Sequence, residues 1–422
     1  MPAPLLKPYW TTTDRQTVRF YHGDVLKVLQ RMPTGIVQTV VTSPPYWSLR
    51  DYGQDKSLEI GGEKTPQEYV ERIVAVFHEL RRVLRDDGTL WPNLGDTYRG
   101  GKCGRTDTDR MNVDRFSGMR NKKPGFVSCG ASTLPGGNLV GIPWRVALAL
   151  QADGWILRQD IIWHKPSPMP ESVTNRCTKA HEYIFLLTKR QRYFYDAEAI
   201  KEKAKSAYRS AGFLPNSKKD LAATAATAAT AASRNGRTEE LRIVASNKRS
   251  VWRISTGSGY SGAHFATFPR SLVEPCILAG TSEGGCCSEC RAPRQRVTER
   301  SVRRRSRPND YVKRTGEEGT GNSCANSVDG VDVKTLGWEP TCSCGAGVVP
   351  CTVLDPFLGS GTTAVEALSR GRRCWGIDLS EEYLEKHAVL RVTDELLSSP
   401  ATAGQIARQV KALEIGRAVR MV

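Results

Sequence analysis

Two short stretches of this chain combine residue types that suit chemistry on a nucleoside. The first is Asp355-Pro356-Phe357-Leu358-Gly359-Ser360-Gly361-Thr362-Thr363. It lies between a strand-like run, Val353-Leu354, and a helix-forming segment from Thr362 to Ser369. Glycines at such a bend let backbone approach a ligand, and a helix start offers free N–H groups. Asp378 closes the next strand-like run, 17 residues after Gly361. A carboxylate placed there can accept hydrogen bonds from both hydroxyls of a ribose. The loop has neither the G-x-G-x-x-G spacing of nicotinamide oxidoreductases nor the G-K-[ST] of phosphate-binding NTPase loops. It therefore points to a different nucleoside cofactor.

The second stretch is Ser43-Pro44-Pro45-Tyr46, which follows the apolar run Val37 to Val41. Two prolines end a strand and stiffen the loop after it, so backbone carbonyls face the cleft instead of pairing in a sheet. A serine oxygen plus a prolyl carbonyl can accept both hydrogens of a planar amino group. That orients the nitrogen and frees its lone pair to attack an activated methyl. Tyr46 offers a ring face for stacking on a base. His164, in Trp163-His164-Lys165-Pro166, follows another strand-like run. A positioning or substrate-contact role suits it better than that of a general base, because an amine loses its proton readily after methylation.

Cysteines supply a third signal. Cys287-Ser288-Glu289-Cys290 is a C-x-x-C knuckle, with Cys286 beside it, and Cys342-Ser343-Cys344 is a second close pair. Four thiolates from two knuckles can surround a structural zinc ion. The second pair is C-x-C where C-x-x-C is usual, so Cys351 is a candidate replacement ligand and unliganded thiols are the alternative.

Elements must hold these groups. Residues 18–47 read as a β-α-β piece. Residues 65–85 read as a helix with Thr65 as N-cap, Pro66 in the first turn and Glu68 closing a capping box. Val70, Ile73, Val74, Phe77, Leu80 and Leu84 form its apolar stripe, and Asp86-Asp87-Gly88 stops it before a strand at Thr89. Further helices are expected at 142–153, 268–280 and from about Glu381, and strands at 156–163 and 182–188. Residues 97–138, 201–250 and 291–336 are polar, basic and irregular, and 222–232 is an Ala/Thr tract.

Composition narrows the class. The 422 residues carry 61 Lys and Arg against 44 Asp and Glu, a formal charge of +17, which suits a polyanionic partner. Basic clusters include Arg50, Arg99, Lys102, Arg105, Arg120, Lys122 and Lys123, then Lys201 to Lys219 and Arg303-Arg304-Arg305. No run of apolar residues is long enough to cross a membrane, and the first residues lack the pattern of a signal peptide. The expectation is an intracellular, cytoplasmic protein with no membrane partner, whose twelve cysteines are mostly thiols or metal ligands.

Thr42-Ser43-Pro44-Pro45-Tyr46-Trp47 followed far downstream by Asp355 to Thr363 resembles the amino-methylating DNA methyltransferases that use S-adenosylmethionine. The order matches their permuted, beta-type subgroup, in which the catalytic motif precedes the cofactor loop. The resemblance spans 18–196 and 250–395. It implies an α/β fold with a Rossmann-like seven-stranded sheet and circularly permuted motif order. Residues 1–196 would be the catalytic half, 251–280 with 351–397 the cofactor half, and 398–422 a tail. A basic insertion at 197–250 would be the candidate recognition region, with 97–138 or the cysteine-bearing insertion 281–350 as alternatives. In the family the cofactor loop commonly follows the preceding helix closely, so 281–350 is a departure.

The resemblance also assigns roles. Asp355, Phe357, Gly359, Gly361 and Thr362, in a loop completed by Pro356 and Ser360, would hold the methionine part of the cofactor. Asp378 would hold its ribose and Asp24 would lie near the adenine. His264 and Phe268 belong to the segment entering the cofactor-side helix. Ser43, Pro44, Pro45 and Tyr46 would be catalytic, acting on a base flipped out of double-stranded DNA. Serine at position 43 resembles the N4-cytosine members, and N6-adenine is the alternative. A non-catalytic, zinc-containing nucleic-acid-binding protein is the alternative of another class. Residues 404–419 would be a basic helix that pairs two copies, or a packed tail.

Overall fold

The strand-loop-helix runs around both motifs form, and they form side by side. The computed structural model describes residues 6–12, 17–48, 57–99, 134–203, 245–256, 267–304 and 328–398. In chain order the elements are β1 (Trp10–Thr11), β2 (Val18–His22), α1 (Val25–Gln30), β3 (Val37–Thr42), α2 (Pro66–Val83), β4 (Leu84–Leu94), α3 (Ile142–Ala152), β5 (Ile156–His164) and β6 (His181–Thr188). They continue with β7 (Glu202–Lys203), β8 (Ala245–Ser246), β9 (Val251–Arg253), α4 (Arg270–Gly280), β10 (Cys286–Cys287), β11 (Gln295–Arg304) and β12 (Val328–Glu339). The last are β13 (Val348–Val349), β14 (Thr352–Asp355), α5 (Thr362–Ser369), β15 (Arg373–Asp378) and a terminal helical stretch. That stretch has α-helical parts at Glu381–Tyr383 and Leu390–Ser398 around a π-helical part, Leu384–Val389.

One sheet carries the site. Its order is β1-β2-β15-β14-β3-β4-β6-β5-β9. Strands β2, β15, β14, β3 and β4 run parallel. β6 is antiparallel to both β4 and β5. The expected seven strands are thus extended to nine among the described residues, because β1 pairs with β2 and β9 with β5 at the two edges. Two- and three-residue strands hold too few side chains to show a period of two, so pattern reading passes over them.

The chain-distant strands β14 and β15 lie between β2 and β3, with Val353 opposite Thr39 and Leu354 opposite Val40. Both motif loops therefore leave the same end of neighbouring parallel strands, where ligands bind in open α/β sheets.

Each face of this sheet is covered. Val40, Leu90, Leu354 and Ile377 pack with Val28 and Leu29 of α1, Ile73, Phe77 and Leu80 of α2, and Val146 and Leu150 of α3. Helix α2 begins as its sequence demands. Thr65 Oγ1 accepts from the Glu68 N–H at 3.2 Å, and Glu68 Oε2 accepts from the Thr65 N–H at 3.3 Å. Its end differs from expectation. The helix stops at Val83, and β4 begins at once with Leu84. Asp86-Asp87-Gly88 lies inside the strand as a bulge, since Val37 faces Leu84 but Thr39 faces Thr89. Gly88 is needed there because a Cβ would fall 2.7 Å from the Gln38 carbonyl oxygen. The turn-forming residues thus re-aim a strand instead of ending a helix.

Residues 291–336 also differ from the irregular spacer expected, because β11 and β12 pair as a two-stranded ribbon. Val and Thr are mixed there with charged residues in no strict alternation, so the sequence carries no period of two to mark β11 as a strand. The contacts divide the chain into two units. One comprises Met1–Ala199, Arg249–Gln295 and Glu339–Val422, and contains the sheet. The other comprises Ile200–Lys248 and Arg296–Trp338. In the second unit, β7 pairs antiparallel with β8, and the Arg296 guanidinium lies over the Trp338 ring at 4.3 Å. The Ala/Thr tract, residues 404–419, and the basic residues Arg50, Lys102, Arg105, Arg120, Lys122, Lys123, Lys219 and Arg305 fall outside the described residues. Among the described residues no helix is long and apolar enough to cross a membrane.

On the second face, α4 ends at Gly280 directly over Thr39 of β3 and Thr89 of β4. A Cβ at Gly280 would fall 2.5 Å from Thr39 Oγ1 and 2.6 Å from Thr89 Oγ1. These two hydroxyls are 2.9 Å apart and hydrogen-bonded, so neither can rotate away cheaply. Gly280→Ala should destabilise the chain by roughly 1–3 kcal/mol in urea unfolding, as overpacking of a filled contact does. An unchanged midpoint would show that α4 rides on the sheet more loosely.

Candidate active site

A cavity of about 240 Å³ opens at the carboxyl ends of β2, β15, β14 and β3. From the first motif, Ser43, Pro44, Pro45 and Tyr46 line it. From the second, Pro356, Phe357, Gly359, Ser360 and Thr362 line it, with Asp378 from the end of β15. Asp24 and Phe268 complete the set of anticipated residues on its wall. The structure adds lining residues that pattern did not single out, including Ile60, Leu379 and Tyr383. His264 lies outside the described residues.

Asp355 and Gly361 stand apart from the other anticipated residues. Neither lines the cavity, and both act behind its wall. Asp355 is 1% exposed. It accepts from Thr42 Oγ1 at 2.7 Å, from Thr363 Oγ1 at 2.6 Å and from the Phe357 N–H at 3.1 Å. These bonds pin the end of β3, the bend of the loop and the first turn of α5 to one carboxylate. Burial nevertheless outweighs them and pushes the Asp355 carboxyl up to about 6. Gly361 has φ +80°, and a Cβ there would come within 3.0 Å of Ala388 in the π-helical stretch. Its role is to let that segment close over the loop. Arg391 then donates to the Ser360 carbonyl at 2.8 Å and to Thr362 Oγ1 at 2.9 Å.

Asp378 is partly committed already. Its two oxygens accept from the Gly359 N–H at 2.7 Å and the Ser380 N–H at 2.8 Å. Burial raises its pKa, and these backbone donors oppose the rise. Each carboxylate oxygen has a second acceptor direction, so the group both shapes the glycine loop and can still face a ligand. Asp24 is similar. It caps α1 through a 3.0 Å bond from the Lys27 N–H and presents the rest of its carboxylate to the cavity. Gly359 has φ +52°, and nothing lies within 4 Å of where its Cβ would be. Bare backbone therefore faces open space, as a cradle for a small molecule requires.

The Ser43 loop is held from several sides. The Tyr69 hydroxyl donates to the Pro45 carbonyl at 2.9 Å, and the Ser48 N–H donates to the Gly61 carbonyl at 2.8 Å. Behind Tyr46 is a polar cluster that sequence reading missed. The Tyr46 hydroxyl donates to Glu182 Oε2 at 2.7 Å, and Asn93 Nδ2 donates to both Tyr46 Oη and Glu182 Oε2, at 2.8 and 2.9 Å. Lys165 is ion-paired with the other Glu182 oxygen. Burial would raise the Glu182 carboxyl, but Lys165 with the Tyr46 and Asn93 bonds holds it below its ordinary value. The ring of Tyr46 rests on Gly95, where a Cβ would come within 2.4 Å of Cε2. The usable signal was Asn93, an amide inside the apolar strand Leu90 to Leu94, since a buried amide needs partners. His164 does not line the cavity, and its neighbour Lys165 is the residue that enters the cluster.

The four anticipated metal ligands do come together. The sulfurs of Cys287, Cys290, Cys342 and Cys344 lie within 4.8 Å of one another. Cys351 is instead buried against Cys286 and is not part of the group.

The family model described as DNA methylase (N6/N4) matches residues 37–288 and 351–389. The type II methyltransferase M.Cfr9I of Citrobacter freundii is 36% identical over 365 residues, covering 86% of this chain and 84% of that protein. M.SmaI of Serratia marcescens is 36% identical over 373 residues, covering 87% of this chain and 89% of its own. Among solved structures, PvuII DNA methyltransferase (cytosine-N4-specific) aligns with a TM-score of 0.47 at 16% identity, covering 95% of this chain and 93% of that one.

Asp355 generates a pH test. Its carboxyl titrates near 6 when folded, against an ordinary 3.8, so the folded chain holds this proton more tightly than the unfolded one. The contribution to stability is complete below the unfolded value and is lost as pH rises through about 6. Asp355→Asn keeps the shape, and the Thr363 hydroxyl can turn to accept from the new amide. In ligand-free urea unfolding, the variant should gain on the parent by on the order of 3 kcal/mol between about pH 4 and pH 7. A difference that does not change with pH would mean that Asp355 is not a buried, charge-strained group.

Proposed function

The chain belongs to the N6/N4 family of DNA methylases, and from that premise we propose that it transfers a methyl group from S-adenosylmethionine to N4 of cytosine in double-stranded DNA. The relatives' description as type II methyltransferases supports a modification enzyme of restriction-modification systems. One observation carries the reading. Ser43-Pro44-Pro45-Tyr46 and the Gly359/Asp378 loop, separated by over three hundred residues of chain, line a single cavity.

The cavity suits the cofactor. Val25, Ile60, Phe268 and Phe357 give it apolar surface for an adenine, Asp24 and Asp378 give acceptors for hydroxyl and amino groups, and Gly359 leaves backbone open to contact. When bound, S-adenosylmethionine supplies a methyl group activated by a sulfonium. The protein's part is to aim the nucleophile. Pro45 is occupied by Tyr69, so the Pro44 carbonyl and Ser43 Oγ are the acceptors assigned to the two amine hydrogens. Holding both in the plane of the base turns the nitrogen lone pair toward the cofactor side of the cavity. The amine gains the methyl and passes a proton to solvent. The Tyr46 ring, steadied by Gly95, Asn93 and Glu182, stacks on a base swung out of the duplex. Ser43, where N6-adenine members usually carry aspartate or asparagine, supports cytosine as the target.

The test is transfer of labelled methyl from S-adenosylmethionine to unmethylated plasmid, followed by digestion to nucleosides. The expected product is N4-methylcytosine. N6-methyladenine would overturn the reading of Ser43, and no label in DNA would overturn the activity. Two variants separate the roles. Ser43→Ala should leave cofactor affinity within about twofold and lower kcat by about 10²-fold or more. Asp378→Ala should weaken cofactor binding, measured by calorimetry, by about tenfold or more. Equal losses of binding and turnover in both variants would undo this division.

A further inference from the structure

We infer that Cys287, Cys290, Cys342 and Cys344 hold a zinc ion that braces, from the far end of the sheet, the two strands carrying the catalytic and cofactor loops. The sulfurs already sit within 4.8 Å of one another. Tetrahedral zinc with Zn–S bonds of about 2.3 Å needs them about 3.8 Å apart, a contraction of loop tips only. The backbone around them has the form of two knuckles. Arg291, just after Cys290, has φ +62°, and Gly345, just after Cys344, has φ +67°. The N–H groups of Glu289 and Cys290 donate to the Cys287 sulfur, and that of Cys344 donates to Cys342. Such N–H···S bonds support thiolate ligands. Four thiolates also close the coordination shell, leaving no position for substrate, so the ion is structural.

What the knuckles touch gives the ion its task. The Gln38 side chain is buried in β3, five residues before Ser43. Its amide nitrogen Nε2 donates to the Arg291 carbonyl at 2.8 Å, and its Oε1 accepts from the N–H of Thr352, the first residue of β14, at 2.6 Å. One side chain thus links the first knuckle to both strands. Arg85 in the β4 bulge donates to the Cys290 carbonyl. β10 and β13 pair Cys287 with Val348, and Thr341 Oγ1 donates to the Pro293 carbonyl at 2.7 Å, joining the flanks of the two knuckles. The metal therefore fixes both ends of a long excursion between α4 and β14, so that β14 enters the sheet in register beside β3.

Metal analysis of the purified full chain should find one zinc per chain. Stripping it with a thiol-directed mercurial and a chelator should lower Tm by ~5 °C or more, and adding zinc back should restore it. The Cys342→Ser/Cys344→Ser double variant should lose the metal, while Cys177→Ser, an exposed cysteine outside the cluster, should keep it. If the double variant does not fold, stripping and restoring the parent chain carries the test alone. Absence of zinc, with the four sulfurs found as reactive thiols or disulfides, would overturn the site. Zinc that can be removed with no change in Tm would overturn the brace. Both readouts are taken without cofactor or DNA, so they stand or fall separately from the methyl-transfer assay.

Discussion

The Asp355 carboxylate, shared between Thr42 and Thr363, is the joint on which the site depends. Its partners come from the end of one strand and the start of a helix whose residues lie 313 and 8 positions away. Burying a carboxylate is costly, and the bonds it makes offset that cost only in part, as its raised pKa records. The return is geometric. Thr42 immediately precedes Ser43, and Thr363 follows the glycine loop, so the joint sets the distance between the group that would orient an amine and the backbone that would cradle a cofactor. The nearby Asp378 repeats the device on a smaller scale by tying Gly359 to Ser380.

This arrangement explains how the chain tolerates so much sequence between its motifs. Only the register of β3 beside β14 must be preserved, and loop-closure entropy rises slowly with the length of the intervening segment. The segments Ile200–Lys248 and Arg296–Trp338 group as a unit of their own, and the sheet order is set without them. Gln38 and the cysteine knuckles act at one end of the β3–β14 pair and Asp355 at the other. The two strands are therefore held at both ends by side chains, with only short backbone pairing between them.

Much of the site was legible because its chemistry is local in sequence. Ser43 to Tyr46 and Pro356 to Thr362 are contiguous, and the Thr65/Glu68 capping box is a four-residue pattern that needs no tertiary knowledge. The convergence of Cys287, Cys290, Cys342 and Cys344 was readable from spacing alone. What escaped was non-local. Glu182, Asn93 and Lys165 meet Tyr46 only because β6 turns back antiparallel between β4 and β5. The bulge at Asp86-Asp87-Gly88 was misread because the same residues that end helices also kink strands, and which applies depends on the pairing with Gln38 and Thr39. That Asp355 and Gly361 lie behind the cavity wall is not readable from the loop's sequence, since facing depends on the approach of Thr42 and Ala388.

The central claim is that the two motif loops enclose one ligand-binding space. Hydrogen-exchange mass spectrometry of the full chain, with and without S-adenosylhomocysteine, tests it directly. Peptides spanning 43–48, 356–363 and 376–383 should slow together when the ligand binds. Slowing of the two downstream segments with 43–48 unchanged would show separate sites and contradict the account.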